Sequence, residues 1–245
     1  MAYLIALDDG HGMETPGKRT PVIPELGRSI KENEFNKAVV YYLDKELKRC
    51  GFKTLLVAAG DSDIPLATRT NRANSAGADA YISCHYNAGG GEGVETYHYP
   101  GSTKGNKLAQ CVHKYVIQGT KQKNRGVKSA NFHVLRESRM PAILVEYGFM
   151  DDPGLKEARL MLNKEFQIEC ARETAKGICE YFGVKYVPDT SEQEEKKSVF
   201  PHMLRIEVDG KVVVDTQVPY TLNSFVDDAL FKGASEVKIY KREDV

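Results

Sequence analysis

The 245-residue chain has no excess charge of either sign, since 34 lysines and arginines balance 34 aspartates and glutamates. Phosphate backbones are gripped by basic surfaces, so this balance excludes nucleic acid as the principal partner. A disulfide framework is also lacking. The five cysteines, Cys50, Cys84, Cys111, Cys170 and Cys179, form no C-x-x-C pair and are odd in number, the pattern of buried thiols in a protein made in a reducing cytosol. No apolar run reaches the roughly 20 residues of a membrane span, so no membrane insertion is expected. The opening Met1-Ala2-Tyr3-Leu4-Ile5-Ala6-Leu7-Asp8 has neither a basic start nor a small-residue cleavage site, and no secretory signal is expected from it. No internal repeat is present.

With hydrophobic residues at 41%, the chain is long enough for one good-sized core and a small second module. Strand-like runs at about 2–8, 52–58, 79–84, 93–99, 131–136 and 142–147 alternate with helical stretches at about 31–49, 64–76, 102–119 and 163–182. That alternation predicts an α/β domain, residues 1–187, built on a twisted, mostly parallel sheet flanked by helices. The first helix opens on a Ser29-x-x-Glu32 capping-box pattern and the last stops at Gly183. Residues 188–198, with the charged stretch 190–197 free of apolar side chains, read as a linker. Residues 199–245 then predict a small α+β module of ββαβ order: alternating Leu204-Arg205-Ile206-Glu207-Val208, an Asp209-Gly210 turn, a return strand, a helix at about 222–231 and a last strand at 236–240. A core of fewer than about 50 residues is marginal, so this module is expected either to form a homodimer or to pair with a partner's strand edge.

Three apolar runs end on a chemically capable side chain. They are Leu4 to Gly12 carrying His11, Ala80 to Asn87 carrying His85, and Ala142 to Phe149 carrying Glu146. Strand ends in open α/β sheets are where ligand sites form. Two imidazoles and a carboxylate point to zinc, which in catalytic sites takes three protein ligands and keeps a fourth position open. Glu146 serves either as the third ligand or as a general base, and Glu32, opening the first helix, is the other carboxylate available. Capping the helix and ligating a metal compete for that same Glu32 carboxylate.

These segments resemble the zinc-dependent N-acetylmuramoyl-L-alanine amidases of the amidase type 3 family. The resemblance rests on Asp8-Asp9-Gly10-His11-Gly12, on Glu32, on Arg69-Thr70-Asn71-Arg72-Ala73-Asn74 leading to Ser83-Cys84-His85-Tyr86-Asn87, and on Pro141-Ala142-Ile143-Leu144-Val145-Glu146-Tyr147-Gly148-Phe149, in order over about residues 2–183. It implies Zn2+ held by His11, Glu32 and His85, Glu146 as the catalytic carboxylate, and cleavage of the peptidoglycan amide between N-acetylmuramic acid and L-alanine. Asp9 stands where the family usually has Pro, Met13 where a second Gly is common, and Asp151 where Asn is frequent; these departures bear on loop shape and substrate fit.

Further expectations attach to single residues. Asp8 or Asp9 orients a ligand imidazole, while Asn87, Arg69, Glu95 and Arg139 support the site or meet substrate. Residues 12–27 line the groove. Arg125, Lys128, Arg136 and Arg139 are candidates for meeting the acidic stem peptide or the lactyl carbonyl region, against a plain role as a solvated rim. His133 is expected on a strand beside that of Glu146. The overall expectation is a bacteriolytic enzyme, a phage endolysin that reaches the wall once the membrane is breached, with residues 199–245 binding a Gram-positive wall polymer. The alternatives are a mother-cell or bacterial autolysin of the same chemistry, a zinc peptidase of the stem peptide, or a wall-binding protein with an inactive site.

Overall fold

The computed structural model describes residues 2–189 and the strands 204–208, 211–216 and 237–241. The chain divides into two compact units, Met1–Val187 and Pro188–Val245.

In the first unit, β1 (Leu4–Asp8), β2 (Lys53–Leu56), β3 (Ala80–Asn87), β4 (Val94–His98), β5 (Asn124–Ser129) and β6 (Ala142–Phe149) form one sheet in the order β2-β1-β3-β6-β4-β5. Every neighbouring pair is parallel except β4 with β6, so the sheet is mostly parallel, as the βαβ alternation predicts. Side chains alternate across each strand. Ile5, Leu7, Ile82, Ile143 and Val145 face the helices α1 (Glu32–Arg49), α3 (Thr103–Thr120) and α6 (Lys164–Phe182) in the larger core cluster. Ala6, Tyr81, Ala142 and Leu144 face α2 (Leu66–Ala76) and α4 (His133–Arg136) in the smaller one. Phe35, Val39, Leu43 and Leu47 recur every fourth residue of α1 and are wholly buried, each contributing about 1.5–3 kcal/mol of transfer free energy. The short α5 (Lys156–Leu160) closes the end of β6.

Two local expectations are corrected. Residues 131–136 are not a strand: the Leu135 and Arg136 N–H groups fold back onto the Phe132 carbonyl at 3.1 and 3.0 Å, closing a helical turn, so His133 lies on α4. The strand at this edge is β5, pairing only with β4; none of its six residues is fully buried, and it therefore carries no apolar alternation to read. The second correction concerns α1. Its N-cap is Lys31, not Ser29, and the Glu34 carboxylate accepts the Lys31 N–H at 2.8 Å. Glu32 is thereby released from capping.

In the second unit β7 (Leu204–Val208) pairs antiparallel with both β8 (Lys211–Thr216) and β9 (Val237–Lys241). The expected Asp209-Gly210 turn, the helix at about 222–231 and the charged stretch 190–197 lie outside the described residues. Among the described residues no helix is long and apolar enough to cross a membrane.

Candidate metal centre and active site

Register places the chemistry in one row. Asp8 is the Cα partner of Ser83, His85 of Glu146, and Glu146 of Glu95, so these side chains leave β1, β3, β6 and β4 on the α2-facing side near the strand ends. Cys84 points the other way, its Sγ 3.7 Å from the Tyr147 hydroxyl, as alternation requires.

His11 lies just past β1 in a left-handed conformation, φ 64°, unusual for a side-chain-bearing residue and found where surrounding contacts over-determine it. Those contacts are present. Asn33 donates to the carbonyls of Asp9 at 2.6 Å and Gly10 at 3.0 Å, Asn36 to Gly10 at 3.2 Å, and Arg69 to the His11 carbonyl at 2.9 Å. Gly10 is required by proximity: a Cβ there would lie 2.5 Å from His85 Cε1 and 2.6 Å from Nε2, at φ +29°. Gly10→Ala is therefore expected to displace the His85 ring and weaken zinc binding by about 10- to 100-fold, the range for disturbed ligand support. Calorimetric zinc titration checks this, and affinity within about twofold of wild type would contradict it.

Glu32, the first residue of α1, is 1% exposed. Its Oε1 lies 3.0 Å from His85 Nδ1 and accepts the Tyr86 N–H at 3.1 Å and the Asn36 amide at 3.2 Å. Its Oε2 lies 3.4 Å from His11 Nε2 and has no hydrogen-bond partner. One ligand atom from each of His11, Glu32 and His85 falls within 4.8 Å of the others. Glu146 is outside this cluster.

Hydrogen-bond accounting shows that the three residues fit a cation. Asp8 Oδ2 accepts both the Tyr81 and Ser83 hydroxyls, each at 2.8 Å. With its hydrogen directed to Asp8, Ser83 Oγ accepts from His85 Nε2 at 3.1 Å. With Nε2 committed to Ser83, His85 donates from Nδ1 to Glu32 only as the imidazolium; as the neutral ring it presents an Nδ1 lone pair there, and Glu32 Oε2 stays without a hydrogen bond beside His11. A cation in place of that proton would accept both the Nδ1 lone pair and the unpartnered Oε2, and two imidazoles with one carboxylate suit zinc. Without a cation, a proton on His85 takes that place. Burial pushes His11 down to about 4 despite the Glu32 charge, keeping its imidazole neutral. Burial opposes ionisation of Glu32, but the His85 hydrogen bond and both imidazoles outweigh it and hold the carboxyl near 2. At His85 burial is outweighed by Glu32, which raises its pKa.

Glu146 differs from Glu32. Burial, with Glu32 and Glu95 adding to it and His85 and Lys18 opposing it, raises its carboxyl to about 8, and its Oε2 is buried without a partner. The two carboxyls are thus held apart in acidity, Glu32 near 2 and Glu146 near 8, the kind of separation found where two carboxyls differ in function.

The expected supporting residues fall in different places. Asp8 acts on His85 through Ser83, and Arg69, 1% exposed, pairs with Asp8 at 2.6 Å. Asp9 faces the opposite side; burial and the neighbouring Asp8 raise it to about 6, and Asn33 touches its carbonyl rather than an imidazole touching its carboxyl. The Asn87 side chain turns to the Ala88 N–H at 2.8 Å. Arg139 is exposed, its backbone N–H bonded to Asn74. Asp151 accepts the N–H groups of Gly89 and Gly90 at 2.9–3.0 Å and pins the loop after β3. Sequence reasoning missed Lys18, whose carbonyl accepts the Glu32 N–H at 2.9 Å and whose ammonium acts on both His11 and Glu146. It belongs to the loop at 12–27, and nothing local distinguishes it from the nearby Arg19.

A metal-competent triad and a separate protonatable carboxyl at the ends of a mostly parallel sheet define an α/β enzyme equipped for hydrolysis. Comparison with known proteins narrows the class: residues 5–180 match the model of the N-acetylmuramoyl-L-alanine amidase family. The chain belongs to that family, the amidase type 3 group, and is a peptidoglycan amidase. It is 37% identical over 184 residues to the sporulation-specific N-acetylmuramoyl-L-alanine amidase of Bacillus subtilis (74% of this chain, 69% of that one). It is 32% identical over 194 residues to the endolysin of Bacillus phage SPP1 (76% and 68%). The catalytic domain of CwlV, an amidase from Bacillus (Paenibacillus) polymyxa var. colistinus, superposes with a TM-score of 0.66 at 31% identity, covering 75% of this chain and 99% of that one.

Proposed function

We propose that this amidase depends on zinc held by His11, Glu32 and His85, that Glu146 is its proton-transfer residue, and that it cleaves between N-acetylmuramic acid and L-alanine as a lytic enzyme. The observation that carries the zinc assignment is the buried Glu32 Oε2 left without a hydrogen bond beside His11. Zinc, when bound, supplies Lewis acidity for the amide carbonyl and acidifies water toward neutrality. Glu146, ionised more readily beside a dication than the cation-free fold allows, accepts the proton of the attacking water and returns it to the departing alanine nitrogen. Asp8, Ser83 and Arg69 hold His85 in one tautomer throughout.

Dialysis against a chelator is expected to abolish hydrolysis of purified cell walls and one equivalent of zinc to restore it, with new amino-terminal L-alanine and intact glycan strands as products. Any other new terminus would reject the amidase assignment in favour of a stem-peptide peptidase. No turbidity clearing by the zinc-loaded wild type would favour a wall-binding protein with an inactive site. Similarity to the SPP1 endolysin supports the endolysin reading, in which the enzyme meets the wall after the membrane is breached. Similarity to the sporulation-specific amidase supports the second, a mother-cell autolysin of the same chemistry. Residues 199–245 serve as a wall-polymer-binding and dimer-forming module, since tethering raises enzyme concentration at an insoluble substrate.

A further inference from the structure

Four basic residues near the groove, Arg125, Lys128, Arg136 and Arg139, are alike in sequence, and the fold separates them. Arg136 is tied to Glu137 and Asn131 on α4, and Arg139 is exposed with its N–H on Asn74. Arg125 and Lys128 instead project from β5 onto Glu95, the residue in register with Glu146. Glu95 is 2% exposed and accepts from Arg125 Nε, from Lys128 Nζ at 2.9 Å and from the Tyr97 hydroxyl. Burial opposes its ionisation, but these three donors overcome it and keep the carboxyl low. The Arg125 guanidinium also lies over the Phe149 ring, 4.8 Å from its centroid, three residues beyond Glu146 on β6.

One carboxylate shared by two cations leaves a surplus positive charge. Arg125 and Lys128 keep 31% and 38% of their side chains exposed while Glu95 is buried, so it is the cationic side of the cluster that meets solvent, on the strand face that carries Glu95 and Glu146. A simple ion pair would cancel; this one is a pinned cation held ready for an external anion. Adjacent strands lie about 4.8 Å apart, which puts the cationic heads roughly 5–10 Å from Glu146.

We propose that Arg125 and Lys128, positioned by Glu95, recognise a free carboxylate on the peptide side of the scissile bond, the α-carboxylate of the isoglutamyl residue that follows L-alanine, and so set preference for a non-amidated stem. This deepens the amidase reading and rests on it. The residue after L-alanine is linked through its side-chain carboxyl, which leaves its α-carboxylate either free or capped as an amide. At about 3.5 Å per extended residue, that group is the first charge the peptide offers within reach.

The test compares the zinc-loaded full chain on two soluble muramoyl-peptides, identical except for D-isoglutamate or D-isoglutamine at the second position. The wild type is expected to favour the carboxylate form by about tenfold in kcat/KM, the size of one partly exposed charge-assisted contact. Arg125→Gln with Lys128→Gln is expected to shrink this to about twofold, through KM on the carboxylate substrate and not through kcat. The charge-preserving pair Arg125→Lys with Lys128→Arg is expected to keep most of the preference, which separates recognition from a fold defect. Binding of the product peptides L-Ala-D-isoGlu and L-Ala-D-isoGln, followed by calorimetry, gives the same contrast without turnover. Absent preference in the wild type, preference that survives the Gln pair, or equal loss on both substrates overturns the proposal. Cleavage of neither substrate by the wild type is a distinct result, because it overturns the amidase assignment itself.

Discussion

Glu146→Gln is expected to lower amide hydrolysis by about 10²- to 10⁴-fold, the range for a removed proton-transfer residue, while zinc uptake stays at wild-type level. The side chain lies outside the cluster of His11, Glu32 and His85, so the isosteric amide leaves that cluster intact. The fold provides a second readout. In chelator-treated protein Glu146 titrates near 8 against an ordinary 4.5, meaning that the native state holds this proton more tightly than the unfolded chain does. Wild-type stability therefore falls as pH rises from about 4.5 through about 8, and the neutral Gln removes that decline. Denaturant titrations of the metal-free pair should show the variant gaining on the wild type across this window. Hydrolysis within about tenfold of wild type, at equal zinc content, would remove Glu146 from the reaction.

Arg69→Leu is expected to destabilise the fold by about 3–5 kcal/mol, because it leaves the buried Asp8 carboxylate without its cation. Arg69 and Asp8 are each 1% exposed, and the guanidinium also donates to the carbonyls of Ile64 and His11 and to Asp63. One side chain thus ties the end of β1 to α2 and to the loop bearing the first imidazole. Loss of this tie should lower Tm by roughly 10 °C for a chain of this size and weaken zinc binding, since Asp8 holds His85 through Ser83. A Tm within about 2 °C of wild type would show that water replaces the guanidinium.

The sequence alone determined most elements of the first unit and singled out the candidate reactive residues. Apolar runs at Leu4–Asp8, Ala80–Asn87 and Ala142–Phe149 announce buried parallel strands, and His11, His85 and Glu146 stand out because each interrupts such a run where a strand must stop. These signals are local, carried by neighbours in the chain. Which carboxylate caps α1 and which one turns inward was decided by tertiary structure: Glu32 and Glu34 both open the helix, and only the assembled sheet end offers His11, His85 and the Tyr86 N–H to one of them. The edge strand β5, the influence of Lys18 on Glu146, and the row from His85 through Glu146 to Glu95 have the same origin. Register and loop closure join residues far apart in sequence, and no periodicity within either partner encodes where they meet.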